Sequence, residues 1–159
     1  MLAASGGFAA GRVLLRPADA VPQPIRFNHE LHAGTLELDC STCHEFYATS
    51  AHSGLPSLDL CATCHEEAMT DSPEERRLFE LLQSGSNEPF RKLFRMPDHV
   101  YYSHARHVTV AGIECATCHG GIAETTTPPS TALVHVTMDT CVDCHAARGV
   151  TVECTRCHR

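Results

Sequence analysis

The sequence predicts a fold of low regular secondary structure, with short helices and loops wrapped around large flat bodies that are not side chains. Three observations predict it. The 159 residues hold ten Cys and twelve His, yet no Trp and only nine Phe and Tyr together. A chain of this length hides roughly 70% of its surface on folding, so it has a core to fill and few of the usual residues to fill it. The ten Cys form five pairs of one spacing, with none left over: Cys40 and Cys43, Cys61 and Cys64, Cys115 and Cys118, Cys141 and Cys144, Cys154 and Cys157. Convincing strand alternation is lacking, and helix signals concentrate between residues 71 and 85.

The residue after every pair is a histidine: His44, His65, His119, His145 and His158. At the chain's His frequency of about 0.075, five such neighbours arise by chance on the order of a few times in a million. Paired C-x-x-C motifs also build structural zinc sites, a single one can be a redox centre, and an exported chain can use them for disulfides. None of these needs a His straight after every second Cys, whereas c-type haem attachment does. The two thiols form thioethers to the haem vinyl groups, and the following imidazole is placed beneath the iron. The pattern predicts five c-type haems, each with one of those five histidines as an axial ligand, and they supply the flat apolar bodies that the aromatics do not.

In chain order, residues 1–26 read as an N-terminal arm or residual anchor. Met1 to Leu15 is apolar but broken by Gly6, Gly7, Gly11 and Arg12, too short to span a bilayer. Ala18-Asp19-Ala20 has the shape of a signal cleavage site without a basic region ahead of it, and Val21-Pro22-Gln23-Pro24 is an extended connector. Residues 27–70 form a two-haem module. Residues 71–100 are a helical linker: Ser72 caps, Pro73 suits the first turn, Glu75 completes a capping box, Leu78, Leu81 and Leu82 give one apolar face, and Gly85 ends it. Residues 101–159 form a three-haem module, with a surface loop at 124–131.

Seven histidines remain: His29, His32, His52, His99, His104, His107 and His135. His29 and His32 lie eleven and eight residues before Cys40, and His104 and His107 lie eleven and eight before Cys115. Phe27-Asn28-His29-Glu30-Leu31-His32 and Tyr102-Ser103-His104-Ala105-Arg106-His107 are thus an internal repeat offset by 75 residues, each opened by an aromatic. Asp39 and Glu114 stand just before the first Cys of each copy. The chain reads as two related haem modules.

These residues resemble the class III multihaem cytochromes c and their three-haem relatives, whose signature is an aromatic, one residue, then His-x-x-His upstream of the first haem motif. The likeness is strongest over residues 102–158. It implies that His104 is the distal ligand of the haem on His119, His107 of that on His145, and His135 of that on His158. By the same logic His29 serves the haem on His44 and His32 that on His65. His52 is then spare and is a surface residue or displaces one of the assigned ligands; His99 packs or hydrogen-bonds near a haem edge. Met69, Met96 and Met138 are packing residues, since enough His is present to fill every axial position.

A second resemblance spans roughly residues 22–158. Gln23-Pro24-Ile25-Arg26-Phe27-Asn28-His29, Ser50-Ala51-His52-Ser53-Gly54-Leu55-Pro56, Glu88-Pro89-Phe90 and Met96-Pro97-Asp98-His99-Val100-Tyr101-Tyr102-Ser103-His104 look like the pentahaem subunit of alternative complex III and haem subunits of related quinone reductase complexes. The resemblance implies a subunit on the periplasmic or extracellular face that exchanges electrons with iron–sulfur/molybdopterin-type and membrane quinone-binding subunits. Those subunits normally carry an N-terminal membrane helix, where this chain shows a broken apolar stub.

An iron with imidazole on both faces has no open position for a substrate, so the ligand count predicts an electron carrier and leaves no haem for a nitrite or hydroxylamine catalyst. Five haems on 159 residues lie close enough for electrons to hop between them. The formal charge of −7, from twelve Lys and Arg against nineteen Asp and Glu, argues against nucleic acid and for basic redox-protein partners. The leading reading is a relay subunit of a membrane-associated complex, with the N-terminal arm available for membrane contact. The alternatives are a subunit of an extracellular haem filament, built from copies of the chain, and a diffusing periplasmic shuttle. Replacing His107 with a non-ligand is expected to take one of the five haems out of the low-spin state, read by electron paramagnetic resonance; five low-spin haems in the variant would overturn its assignment.

Overall fold

A computed structural model describes residues 20–85 and 90–159. Most of the predicted N-terminal arm, with Ala18 and Asp19 of the cleavage-like tripeptide, and Glu88-Pro89 lie outside the described residues. Among the described residues the helices are short: α1 (Cys40–Cys43), α2 (Leu58–Ala62), α3 (Pro73–Ser84), α4 (Cys115–His119), α5 (Met138–Ala147) and α6 (Cys154–Cys157). Two π-helical turns, Glu30–Thr35 and Ala105–Val110, and a 3₁₀ turn, Ile122–Glu124, complete the set. The β-pairing among these residues is an isolated antiparallel bridge between Val100 and His158. Low regular secondary structure is what the sequence predicted.

The longest helix, α3, follows its local signals closely. Ser72 caps it by accepting from the Glu74 amide, Pro73 opens it, and Gly85 closes it in the left-handed conformation at φ 67°. The capping box does not form. Glu75 turns its carboxylate to the loop before the helix, where it accepts from the amides of Met69 and Thr70 and from the Thr70 hydroxyl. Ser72 N–H goes instead to the Thr70 hydroxyl at 3.2 Å. Glu74 accepts from the Arg26 amide at 2.8 Å and ties the start of α3 to the N-terminal connector.

The apolar face of α3 packs where expected. Leu78 on α3, Leu58 on α2 and Ile25 form the buried cluster, with Leu81, Leu82, Phe90 and Cys61 against it. No side chain among the described residues is completely enclosed, and large apolar groups such as Leu31, Leu36, Phe46, Met69 and Val142 are exposed. The polypeptide therefore builds one small core at the Cys61 end of the molecule and leaves much apolar surface around the other Cys pairs. No described helix is long and apolar enough to cross a membrane.

The internal repeat survives as geometry. In the first copy Leu31 N–H caps onto Asn28 Oδ1, and in the second Arg106 N–H onto Ser103 Oγ. Each turn then closes with wide hydrogen bonds, Leu36 to the Leu31 carbonyl in one copy and Ala111 to the Arg106 carbonyl in the other. The two copies dock reciprocally. Glu30 N–H donates to the Thr125 carbonyl, while His104 and Ala105 donate to the Ala51 and Ser50 carbonyls. Each histidine turn thus sits on the loop that follows the first Cys pair of the other half. Residues 124–131, predicted as a surface loop, are in part this docking surface.

Candidate haem-ligation sites

One helical turn accounts for the arrangement at each Cys pair. Residues three and four apart share a face of an α-helix, so Cys, Cys and the following His point the same way from a single turn. The turn is closed by the histidine amide itself in three motifs, where His44, His65 and His158 donate to the carbonyls of Cys40, Cys61 and Cys154. Asp39 caps α1 through the Ser41 amide and hydroxyl, and these bonds hold its carboxyl below the usual range. None of the ten cysteines is joined to another in a disulfide. No three Cys, His, Asp or Glu side chains among the described residues converge into a metal cage.

Each of these imidazoles meets a second one. His32 faces His65 with ring centroids 6.3 Å apart, His104 faces His119 at 6.4 Å and 6° between planes, and His107 faces His145 at 6.1 Å. His99 faces His158 at 5.5 Å. A metal held between two imidazole nitrogens at about 2 Å from each would set the ring centroids about 6 Å apart. His29 lies beside His44: burial lowers its pKa, with His44 the next cause and His32 after it. Burial lowers the pKa of His119 too, followed by His104 and His44, a direction that favours the neutral imidazole, the form that ligates.

The rings are aimed from their far side. His32 Nδ1–H donates to the Asn28 carbonyl at 2.8 Å, and its counterpart His107 to the Ser103 carbonyl at 2.8 Å. His44 uses the Gly54 carbonyl, His104 that of Ala51 and His145 that of Thr151. His29 Nδ1 meets the Thr125 hydroxyl at 3.2 Å, whose own proton goes to the Ile122 carbonyl at 2.7 Å. His65 meets the carboxylate of Glu75 at 3.0 Å. With Nδ1 committed in these seven rings, Nε2 is the nitrogen left to ligate, the arrangement that fixes tautomer and orientation in metal-ligating histidines. The aromatic that opens each repeat helps: Phe27 stacks on His32 at 4.4 Å and sets its edge to His29, and Tyr102 does the same to His107 at 4.7 Å and His104. The donor set therefore fits c-type haem between facing imidazoles.

The ring brought to His158 is His99, where sequence reasoning expected His135. The C-terminal segment is pinned to residues 98–101 by the Val100–His158 bridge, by Tyr101 N–H on the Cys157 carbonyl, and by Arg159, whose amide donates to His99 O and whose guanidinium donates to Asp98 O. His135 is exposed, with its carbonyl accepting from Thr140. His52 is exposed as well, in keeping with the surface alternative. Sequence reasoning also did not foresee Glu75 and Thr125 as imidazole partners; no spacing rule joins a histidine to an acceptor ten or ninety-six residues away.

The Cys pairs form a row in space. The Cys61 thiol is raised by burial and then by Cys43 beside it, and Cys43 by burial and then by Cys40 and Cys64. Burial raises Cys40, with Cys115 the next cause, and the two line one cavity with Tyr47, Val108 and Ile113. Cys118 is raised by burial and Cys144, and Cys141 by burial, Cys118 and Cys157. The spatial order of pairs is thus Cys61/Cys64, Cys40/Cys43, Cys115/Cys118, Cys141/Cys144, Cys154/Cys157. The two halves meet at Cys40 and Cys115.

Two family descriptions match the sequence: the class III cytochrome C family over residues 13–85, and cytochrome c7 and related cytochrome c over residues 100–159. A curated relative is the multihaem cytochrome c subunit of a menaquinone reductase from Nitratidesulfovibrio vulgaris, 37% identical over 98 residues. That alignment covers 61% of this chain and 45% of the relative, so the chain matches less than half of the relative's length. Replacing Thr125 by Val keeps the side-chain shape and leaves His29 Nδ1–H without an acceptor. A loss of about 1–3 kcal/mol in stability is expected, measured from urea midpoints, with Thr125→Ser restoring it.

Proposed function

We propose that this chain, a multihaem cytochrome c of the class III and cytochrome c7 type and an electron carrier rather than a catalytic enzyme, holds five haems and serves as a subunit of a membrane-associated, quinone-linked oxidoreductase complex. The observation that carries the five-haem reading is the pairing of imidazoles. Every one of the five histidines that follow a Cys pair has a second histidine beside it: His44 with His29, His65 with His32, His119 with His104, His145 with His107, and His158 with His99. Haem iron bound in such a site supplies one-electron oxidation and reduction with no position left for a substrate.

The chain's own residues do the rest. The ten cysteines fix cofactors to single helical turns, and Nδ1 hydrogen bonds on seven of the ten paired imidazoles hold their rings in place. The row of Cys pairs supports relay along the molecule, with the crossing between the two modules at Cys40 and Cys115. Domain limits of 27–70 and 101–159 with a linker between are supported by the reciprocal docking of the two repeat copies. The quinone link rests on the relative, whose name places it in a menaquinone reductase; a periplasmic face suits covalent haem and an acidic chain of formal charge −7 that docks to basic partners.

Two measurements check this reading. The full chain, recovered from the membranes of its own host, is expected to co-purify with quinone-binding and iron–sulfur/molybdopterin-type subunits; a monodisperse monomer from the soluble fraction would overturn complex membership. His99→Ala is expected to turn one haem high-spin and His135→Ala to turn none, by resonance Raman spectroscopy, and the reverse result would return the fifth ligand to His135.

A further inference from the structure

The two halves contain a matched pair of sites that differ in one respect. His65 and His145 each follow the second Cys pair of their half, and each faces the second histidine of its own π-helical turn, His32 or His107. His32 and His107 are anchored alike, on the carbonyls of Asn28 and Ser103. His145 donates its Nδ1 proton to a neutral backbone carbonyl, Thr151, at 3.2 Å. His65 donates to a carboxylate, Glu75, at 3.0 Å, with that side chain 6% exposed. The other five ring Nδ1 contacts seen here end on carbonyls or a hydroxyl, so the carboxylate is specific to His65.

The surroundings of Glu75 hold it as a carboxylate. Oε1 accepts from His65 and from Met69 N–H at 3.0 Å, and Oε2 accepts from Thr70 N–H at 2.7 Å and the Thr70 hydroxyl at 2.6 Å. Thr70 Oγ1 itself accepts from Ser72 N–H, which commits its proton to Glu75. Both oxygens face donors only, the pattern an acceptor-only group satisfies. The position of α3 places Glu75 there, at the same helix start where Ser72 caps and Pro73 enters.

On the reading that His65 and His32 are axial ligands, we propose that Glu75 is a positioning residue that draws the Nδ1 proton of His65 and gives that ring imidazolate character, so that the haem on Cys61 and Cys64 has the lowest reduction potential of the five. A carboxylate on the far nitrogen of a ligating imidazole raises its basicity, and a stronger donor with a buried negative charge behind it favours the oxidised iron; hydrogen bonding around the ligand is one of the protein's levers on potential.

The test uses the full haem-loaded chain and two substitutions with opposite expected signs. Glu75→Gln removes the charge and raises the lowest one-electron step in a spectroelectrochemical titration, leaving the other steps in place. Thr70→Val removes one hydrogen bond to the carboxylate, leaves it more basic, and lowers the same step. A change in packing alone would not move one step in two directions. Intact mass spectrometry counts haems in each form. All haems retained with the lowest step unmoved in both variants overturns the role of Glu75 and leaves the ligand reading standing. Wild-type protein with no haem on Cys61 and Cys64 overturns that reading and the inference with it. If Glu75→Gln does not assemble, Thr70→Val decides: a downward shift supports the role, and no shift or an upward one overturns it.

Discussion

Four of the five imidazole pairs depend on the ring nitrogen Nδ1, which hydrogen-bonds away from the partner on at least one ring of each. A histidine side chain has two free torsions, and a ring left to itself samples many orientations; two opposed rings at about 6 Å need both sides fixed at once. The chain does this with turns whose purpose is to aim a carbonyl. Asn28, Ser103, Ala51, Gly54 and Thr151 each present one to a ring Nδ1. At Gly54 the backbone takes φ +79°, and an added Cβ would meet Phe46 at 2.8 Å, so glycine there serves both the turn and the ring it anchors. Much of the irregular backbone is irregular because it is shaped around these acceptors.

This priority explains the weakness of the ordinary core. Among the described residues only Ile25, Leu58 and Leu78 are buried apolar side chains, a small core to set against the conformational entropy of folding. Ligands that bind only the folded state add their binding free energy to stability, and covalent haems on five Cys pairs would bring apolar area to surfaces the side chains leave open. Folding and cofactor attachment are then one problem. Exposed Leu31, Leu36, Phe46 and Val142 lie within a few residues of Cys pairs or histidine turns, where such area would be covered.

What could be read from the sequence was whatever is local or repeated. The Cys pairs and their following histidines are fixed by one helical turn. The 75-residue repeat announced both histidine turns and the aromatic that sets their rings, and α3 obeyed its capping residues at both ends. The contacts that no local rule foresaw share one cause. His99 meets His158 because a bridge joins segments nearly sixty residues apart, Thr125 meets His29 across the halves, and Glu75 leaves the expected capping box because a loop of stronger donors lies within reach. The resemblance named His135 from within its own segment, while the bridge at Val100 sets His99 beside His158.

The repeat is more than two copies in a row. Each half rests its histidine turn on the loop after the other half's first Cys pair, so the first histidine of each repeat is anchored by the other half: His104 is held by Ala51, and His29 by Thr125. The exchange brings Cys40 to Cys115 and His44 to His119, which turns two short rows of Cys pairs into one continuous row. A pair of independently folded modules on a flexible linker would leave the central gap to chance. Because the contacts that close this gap are the same ones that anchor His104 and His29, continuity of the row and the orientation of those two imidazoles are set by a single docking event.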